Sequence, residues 1–273
     1  MRRSRFAFQT TFGLAACLIA ALPVRAGSIA ADTLPLPNRV AAADMVVVGK
    51  VTGFEEKSVA AKDGTEFRIA TLTVDDALRA PKGTKTVRLG CVVIPPMVAI
   101  NPRHFQATEG QEGCYFLTRH GDADFSVVGT MGFLGKNSHG FEKDVKLVRR
   151  CAKLLEDPDA SLKGENAEDR FLTAGMLVAR YTTRRTANAK SAPIEAGQSK
   201  RILQALASAD WTPSTDITQL SPQMVLGRLP LTDKDGWSPP SGRDAKAYAA
   251  YAQKWVKDHA ETYRIQQFVT DGN

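Results

Sequence analysis

Histidine and cysteine are scarce in this sequence of 273 residues, four of each, and their spacing removes several classes of chemistry. His104, His120, His139 and His259 include no pair four residues apart, so no helix face carries the two imidazoles of a helix-borne zinc site. No two cysteines stand as C-x-x-C, which removes zinc ribbons, thioredoxin-like redox pairs and covalent haem attachment. A G-x-S-x-G elbow is missing, so no motif nominates a serine nucleophile. Aromatic residues amount to 7% and do not alternate with basic ones, against a stacking platform for single-stranded nucleic acid. The apolar run from Phe12 to Val24 falls short of the roughly 17–25 residues that cross a bilayer. No cofactor and no metal is expected from these residues.

Hydrophobic residues at 43% and charged residues at 24% are the composition of a globular protein. The formal charge of +7 is concentrated at the start, where residues 1–26 hold Arg2, Arg3, Arg5 and Arg25 and no acid. Arginines, then an apolar run, then Val24-Arg25-Ala26 make a secretory signal peptide. Residues 27–37 then form a linker at the mature N-terminus, and the chain is expected to be soluble and secreted or periplasmic. Leu14-Ala15-Ala16-Cys17 has the form of a lipoprotein box, and anchoring through a lipidated Cys17 is the alternative; the apolar run continuing past it through Leu18, Ile19 and Leu22 argues for simple cleavage. Export permits disulfides, and Cys91, Cys114 and Cys151 remain in the mature chain.

From Asp44 to Met131 the apolar residues recur with period two, punctuated by Gly, Pro and Asp. Five strands are expected, at 44–55, 65–78, 85–93, 112–119 and 124–131. Apolar parity shifts between Ile69 and Ala70, where a bulge would bend the second strand. From Phe141 the period becomes helical: Phe141, Val145, Val148, Ala152 and Leu155 form one stripe, Phe171, Ala174, Gly175, Val178 and Tyr181 another. Further helices are expected around Ile202–Ala209, from Ser221-Pro222 through Leu229, and from about Asp244 to Tyr263 with Tyr248, Ala252, Trp255 and His259 buried. The fold class is therefore α+β: a five-stranded OB-like β-barrel over 38–140, then an α-helical domain over 141–273.

Ala43-Asp44-Met45-Val46-Val47-Val48-Gly49-Lys50-Val51, Asp75-Asp76-Ala77-Leu78-Arg79-Ala80-Pro81-Lys82-Gly83, and Glu109-Gly110 before Cys114-Tyr115-Phe116-Leu117 resemble the netrin/tissue-inhibitor-of-metalloproteinase type of barrel over roughly residues 40–131. The resemblance implies a shape. Its inhibitors chelate protease zinc through a cysteine at the mature N-terminus, and no cysteine follows closely on Gly27-Ser28 here, so that activity is not expected. Asp169-Arg170, Ala209-Asp210-Trp211, Lys234-Asp235-Gly236-Trp237 and Tyr263-Arg264-Ile265 resemble C-terminal regions of bacterial envelope proteins and imply no activity.

Four local patterns carry possible chemistry. His120 with Asp122 and Asp124 reads as a hairpin turn before it reads as a metal site. Asp233-Lys234-Asp235-Gly236 has the alternating acids of a calcium loop, but Leu231 and Gly242 occupy its first and last ligand positions, so a turn before Trp237 is expected. Gly129, Gly132 and Gly135 before Lys136 do not run into the Ser or Thr of a phosphate loop and are read as a passage from barrel to helix. Arg149, Arg150, Lys153, Arg180, Arg184, Arg185, Lys200 and Arg201 are interspersed with acids and read as a mixed solvated face. Cys91 and Cys114, on the third and fourth strands, are the expected disulfide; the rivals are a bridge to Cys151 or three buried thiols.

These features point to an exported non-enzymatic binding protein whose partner is an envelope or extracellular protein, peptide or glycan; export and the mixed charge argue against nucleic acid. The alternative is an extracytoplasmic hydrolase whose site is assembled only in three dimensions.

Overall fold

A computed structural model describes residues 34–94, 105–121, 123–186, 188–212, 219–240 and 244–269. The expected leader with Cys17, most of the expected linker, His104 and Asp122 lie outside the described residues. The fold is mixed α+β, with a closed five-stranded barrel and several helices. No helix among the described residues is long and apolar enough to cross a membrane.

The barrel strands are β1 (Met45–Phe54), β3 (Glu66–Arg79), β4 (Thr86–Val92), β5 (Glu112–Arg119) and β6 (Ser126–Gly135), with a two-residue β2 (Val59–Ala60) on the edge of β3. Pairing runs β1-β5-β6-β4-β3 and closes through β3 onto β1; β4 and β6 are parallel, the other pairs antiparallel. Alternation decides which side chains enter. Val47, Val51, Ala70, Leu72, Leu89, Tyr115 and Leu117, all fully buried, fill the interior, so the barrel is a packed core rather than a ligand cavity.

The bulge expected at Ile69/Ala70 is not where the strand pairing breaks. Phe67 to Thr73 pairs without interruption with β4, and the irregularities lie on the β1 side, at Val46/Val47, Val48/Gly49 and Val51/Gly53. The parity shift has another cause: Ile69 and Phe67 are buried on the outside of the barrel beneath Phe125, while Ala70 and Leu72 are buried inside. A second correction concerns the glycines. Gly129, Gly132 and Gly135 belong to β6, where residues 129–132 bulge opposite Phe116. A Cβ on Gly132 would lie 2.7 Å from the carbonyl oxygens of Gly129 and Phe116, so this position of the bulge excludes a side chain. The passage to the helices is only residues 136–140, ending at Gly140 in the left-handed region (φ 82°).

The helices are α1 (Leu36–Ala42), α2 (Phe141–Leu154), α3 (Pro158–Lys163), α4 (Ala167–Thr182), α5 (Ala196–Ala207), α6 (Pro222–Leu226) and α7 (Ala245–His259); β7 (Lys190–Pro193) and β8 (Gln266–Val269) pair as a separate ribbon. Their starts follow from side chains that accept otherwise unpaired N–H groups: Asp157 from Ala160, Asn166 from Asp169, Ser221 from Met224 and Asp244 from Lys246 and Ala247. α1, α3 and the ribbon were not anticipated, and α6 and α7 stop short of the expected ends. Part of the expected linker is thus a helix, with Pro37 in its first turn and Val40 and Ala41 fully buried against the helical layer.

One apolar cluster joins the barrel wall to the helices. Val46, Cys114 and Phe116, on the outside of β1 and β5, pack in it with Val145 and Val148 of α2, Met176 and Val178 of α4, and Leu203 and Trp255 farther out. That arrangement also overturns the expected disulfide. Cys91, Cys114 and Cys151 are free buried thiols. β6 lies between the strands of Cys91 and Cys114, and Cys91 continues the inward row of Val87 and Leu89 while Cys114 points outward into the helical cluster.

Candidate functional site

The helices cover the outside of β1 and β5 and meet β3 only toward its end, at Asp76, Leu78 and Arg79; among the described residues they leave uncovered the outside of β4 and of the stretch of β3 that pairs with it, Phe67–Thr73. Its side chains come in cross-strand rows: Phe67 opposite Val92, Ile69 opposite Gly90, Thr71 opposite Arg88, and Thr73 opposite Thr86. Two connections flank these rows, residues 55–65 after β1 and residues 120–125 before β6.

The first two rows are apolar and self-covered. Phe125 lies on Gly90, where an added Cβ would come within 2.5 Å of the ring, and packs on Phe67 with centroids 5.0 Å apart. The His120 ring stacks on Phe125 (5.2 Å, 11° between planes) and meets Phe67 at 4.7 Å. The last two rows are polar and open. Arg88 makes a two-pronged contact with Glu55, Nε to Oε1 at 2.6 Å and Nη2 to Oε2 at 2.7 Å, and its Nη1 pairs with Asp124. The fork geometry suits a carboxylate. Its effect appears on both partners: the Arg88 hydrogen bonds hold the Glu55 carboxyl below the usual carboxylate range, and Glu55 and Asp124 hold Arg88 above the usual arginine range. Thr52 and Thr73 share a hydrogen bond between hydroxyls at 3.1 Å. The centre of the open face is therefore one arginine between two carboxylates, with threonine hydroxyls beside it. It has no surplus positive charge to offer a phosphate chain.

The singled-out residues fall into place as follows. His120 is a stacking partner and Asp124 an ion-pair partner, so the expected turn does not gather them around a cation; among the described residues no group of three His, Cys, Asp or Glu stands ready for a metal. Asp233–Asp235 is a single 3-10 turn closed by Thr232 and Asp235, and the Asp235 carbonyl accepts a hydrogen bond from Trp255 Nε1 at 2.9 Å, which anchors the turn ahead of Trp237. Lys136 lines a cleft of about 520 Å³ with Gln111, Phe133 and Asn137, but its charge is spent on Glu112 at 2.6 Å, which also meets Lys50 at 3.2 Å. Of the basic series, Arg149 pairs with Asp76, Arg150 with Glu168 and Asp169, Arg185 with Asp44, Lys200 with Glu261 and Arg201 with Asp159, which is the mixed face expected. Burial pushes the Cys114 and Cys151 thiols up to about 12 and raises that of Cys91, so none is a ready nucleophile.

The Glu55–Arg88–Asp124 group was missed from the sequence, since its members lie 33 and 36 residues apart. The available signal was parity: Arg88 alternates with the inward Val87 and Leu89 and so must face out of the barrel. No protein-family model matches the chain, and no curated protein matches it.

Proposed function

We propose that this chain is an exported, non-enzymatic binding protein, and that it takes a polar glycan strand on the open β3–β4 face of a barrel of the OB type. The carrying observation is the neutralised Arg88 on a face that the helices leave uncovered. A neutral glycan offers many hydroxyls and no charge, and it matches a surface of threonine hydroxyls, a carboxylate-held guanidinium and a stacked imidazole. Counted in chain order, the five barrel strands close as 1-4-5-3-2, with the third and fifth parallel, which supports the OB assignment. OB barrels bind oligosaccharides and oligonucleotides on the surface of their second and third strands and adjoining loops; here these are β3, β4 and the two flanking connections. Under this reading the barrel is of the netrin/tissue-inhibitor type, residues 38–140 and 141–273 are its two domains, and residues 1–26 are removed on export to the periplasm or beyond.

An array of neutral and acidic envelope oligosaccharides, probed with the exported chain and with Thr71→Lys, tests this. Thr71 is partly exposed beside Arg88, so a lysine there obstructs the face without entering the core. Retention of neutral oligosaccharides by the parent and its loss in Thr71→Lys is expected. Retention of no glycan, or equal retention by the variant, would overturn the proposal.

A further inference from the structure

The last polar row of the open face does not stop at β3. Thr86 of β4 lies opposite Thr73 of β3, and Thr73 lies opposite Lys50 of β1. Lys50 in turn lies opposite Glu112 of β5, and the backbone N–H of Lys136, one residue past the end of β6, donates to the Glu112 carbonyl at 3.0 Å. Alternation sends these side chains outward, since their chain neighbours Val51, Leu72 and Val87 are buried in the interior. The helical cover ends just short of the row. Val48 and Cys114, two positions from Lys50 and Glu112, pack in the helical cluster, whereas the side chains of Lys50, Glu112 and Lys136 are 47%, 33% and 59% exposed. Neighbouring strands lie roughly 4.7–4.9 Å apart, so the row runs about 19 Å along the barrel wall.

At its far end, Glu112 and Lys136 line the cleft of about 520 Å³ that opens between the 108–111 turn and residues 133–138. Thr108, Gln111 and Asn137 bring hydroxyl and amide groups to it, and Phe133 brings an aromatic ring. Both sides are held in place. The Phe133 ring packs on Tyr115 at 4.9 Å and on Phe105 at 5.3 Å; the turn is closed by the Thr108 N–H donating to Gln111 Oε1 at 3.1 Å and the Gly110 N–H donating to the Val51 carbonyl at 2.8 Å. Charge is balanced here as it is around Arg88: Lys50 and Lys136 meet Glu112 at 3.2 and 2.6 Å, and Glu109 also lines the cleft. A preformed cleft with an apolar ring and a few convergent polar groups is a binding-site geometry, and without surplus charge it suits a neutral, hydroxyl-rich ligand. Exposed polar rows are ordinary on barrels. This one joins the open face to that cleft without a helix crossing it.

We propose that the glycan strand of the β3–β4 face continues across β1, along the Thr86–Thr73–Lys50–Glu112–Lys136 row, into this cleft. The ligand is then an oligosaccharide of several neutral sugars rather than a single sugar. This inference rests on the glycan reading of the open face and adds a second place of contact to it.

The test titrates the protein calorimetrically with a length series, disaccharide to hexasaccharide, of the neutral glycan that the array retains. Affinity should rise with length and gain about tenfold once the chain reaches the cleft, the worth of one or two net hydrogen bonds. Asn137→Arg, a change at an exposed position of the cleft lining, should remove that gain while disaccharide binding stays within twofold of the parent. Amide shifts give a readout that needs no variant: the hexasaccharide should move Thr108, Gln111 and Asn137, and the disaccharide should leave them still. A disaccharide bound as tightly as the hexasaccharide, or a hexasaccharide bound equally by Asn137→Arg and the parent, overturns the extension alone. An array that retains no neutral glycan overturns both readings.

Discussion

Alanine at Gly113 should cost far more than alanine at Gly53, although both glycines lie in barrel strands. Gly113 on β5 pairs with Gly49 of β1 on one side and Gly135 of β6 on the other, a row without side chains where the barrel wall closes tightly. A Cβ at Gly113 would sit 2.3 Å from the Leu134 carbonyl oxygen and 2.6 and 2.9 Å from ring atoms of Phe133. The ring can turn aside, but the carbonyl belongs to the neighbouring strand and moves only with it. Overpacking of this kind costs about 1–3 kcal/mol, and backbone obstruction places Gly113→Ala near the upper end. Reduced freedom of the unfolded chain returns about 0.4–1 kcal/mol, leaving a net loss of about 2 kcal/mol. At Gly53 nothing lies within 4 Å of the added methyl, so only the favourable term remains. Urea unfolding followed by circular dichroism measures both. With a slope of about 1–3 kcal/mol per molar urea, the Gly113→Ala midpoint should fall by about 1 M while that of Gly53→Ala holds or rises. Equal midpoints for the two variants would refute the tight closure of the wall.

Gly90→Ala should displace Phe125 from its seat rather than break the barrel, because the obstruction at 2.5 Å is a side-chain ring; the loss of the His120–Phe125 stack would show as a changed His120 imidazole resonance, and an unchanged one would contradict the packing. Asp44 gives a pH signature. Burial pushes its carboxyl up, but the Arg185 hydrogen bond, the Arg119 backbone N–H and the nearby Arg79 together leave it below the usual range. A carboxyl depressed in the folded state contributes stability above its unfolded value of about 3.9 and loses it as pH falls through the folded value. Asp44→Asn should therefore be less stable than the parent at pH 7 and converge with it below about pH 4; a constant difference across that range would contradict the ion pair. Cys114 and Cys151, with thiols at about 12, should resist Ellman's reagent at pH 8 until the chain is unfolded, and non-reducing peptide maps should show no bridge among Cys91, Cys114 and Cys151. Rapid native reaction of Cys114 would contradict its burial.

The barrel was legible because alternation writes each strand directly into the order of residues. All five expected strands are present within a few residues of their expected ends, and so is the change of period at Phe141. Alternation does not tell which outer faces are covered. Ile69 and Phe67 therefore looked like a bulge when they were a second buried face, and Cys91 and Cys114 looked like partners when they lie on opposite sides of the wall. Short elements escaped for a different reason. α1 has seven residues, too few for a periodicity to be read, and its buried Val40 and Ala41 belong to a cluster made by helices far along the chain; the β7–β8 ribbon joins residues more than seventy positions apart. The open face shares this obstacle, since Glu55, Arg88 and Asp124 meet only when β1, β4 and the 120–125 connection are brought together.

Where the proposed glycan sits is the central question, and amide chemical shifts in the ¹⁵N-labelled protein answer it most directly. Titration with a neutral oligosaccharide retained on the array should move the amides of Thr71, Thr73, Thr86, Arg88 and Glu55 saturably, with those of α2 and α4 on the far wall unmoved. Saturable shifts confined to the helical half, with the β3–β4 amides still, would contradict the assignment of the face.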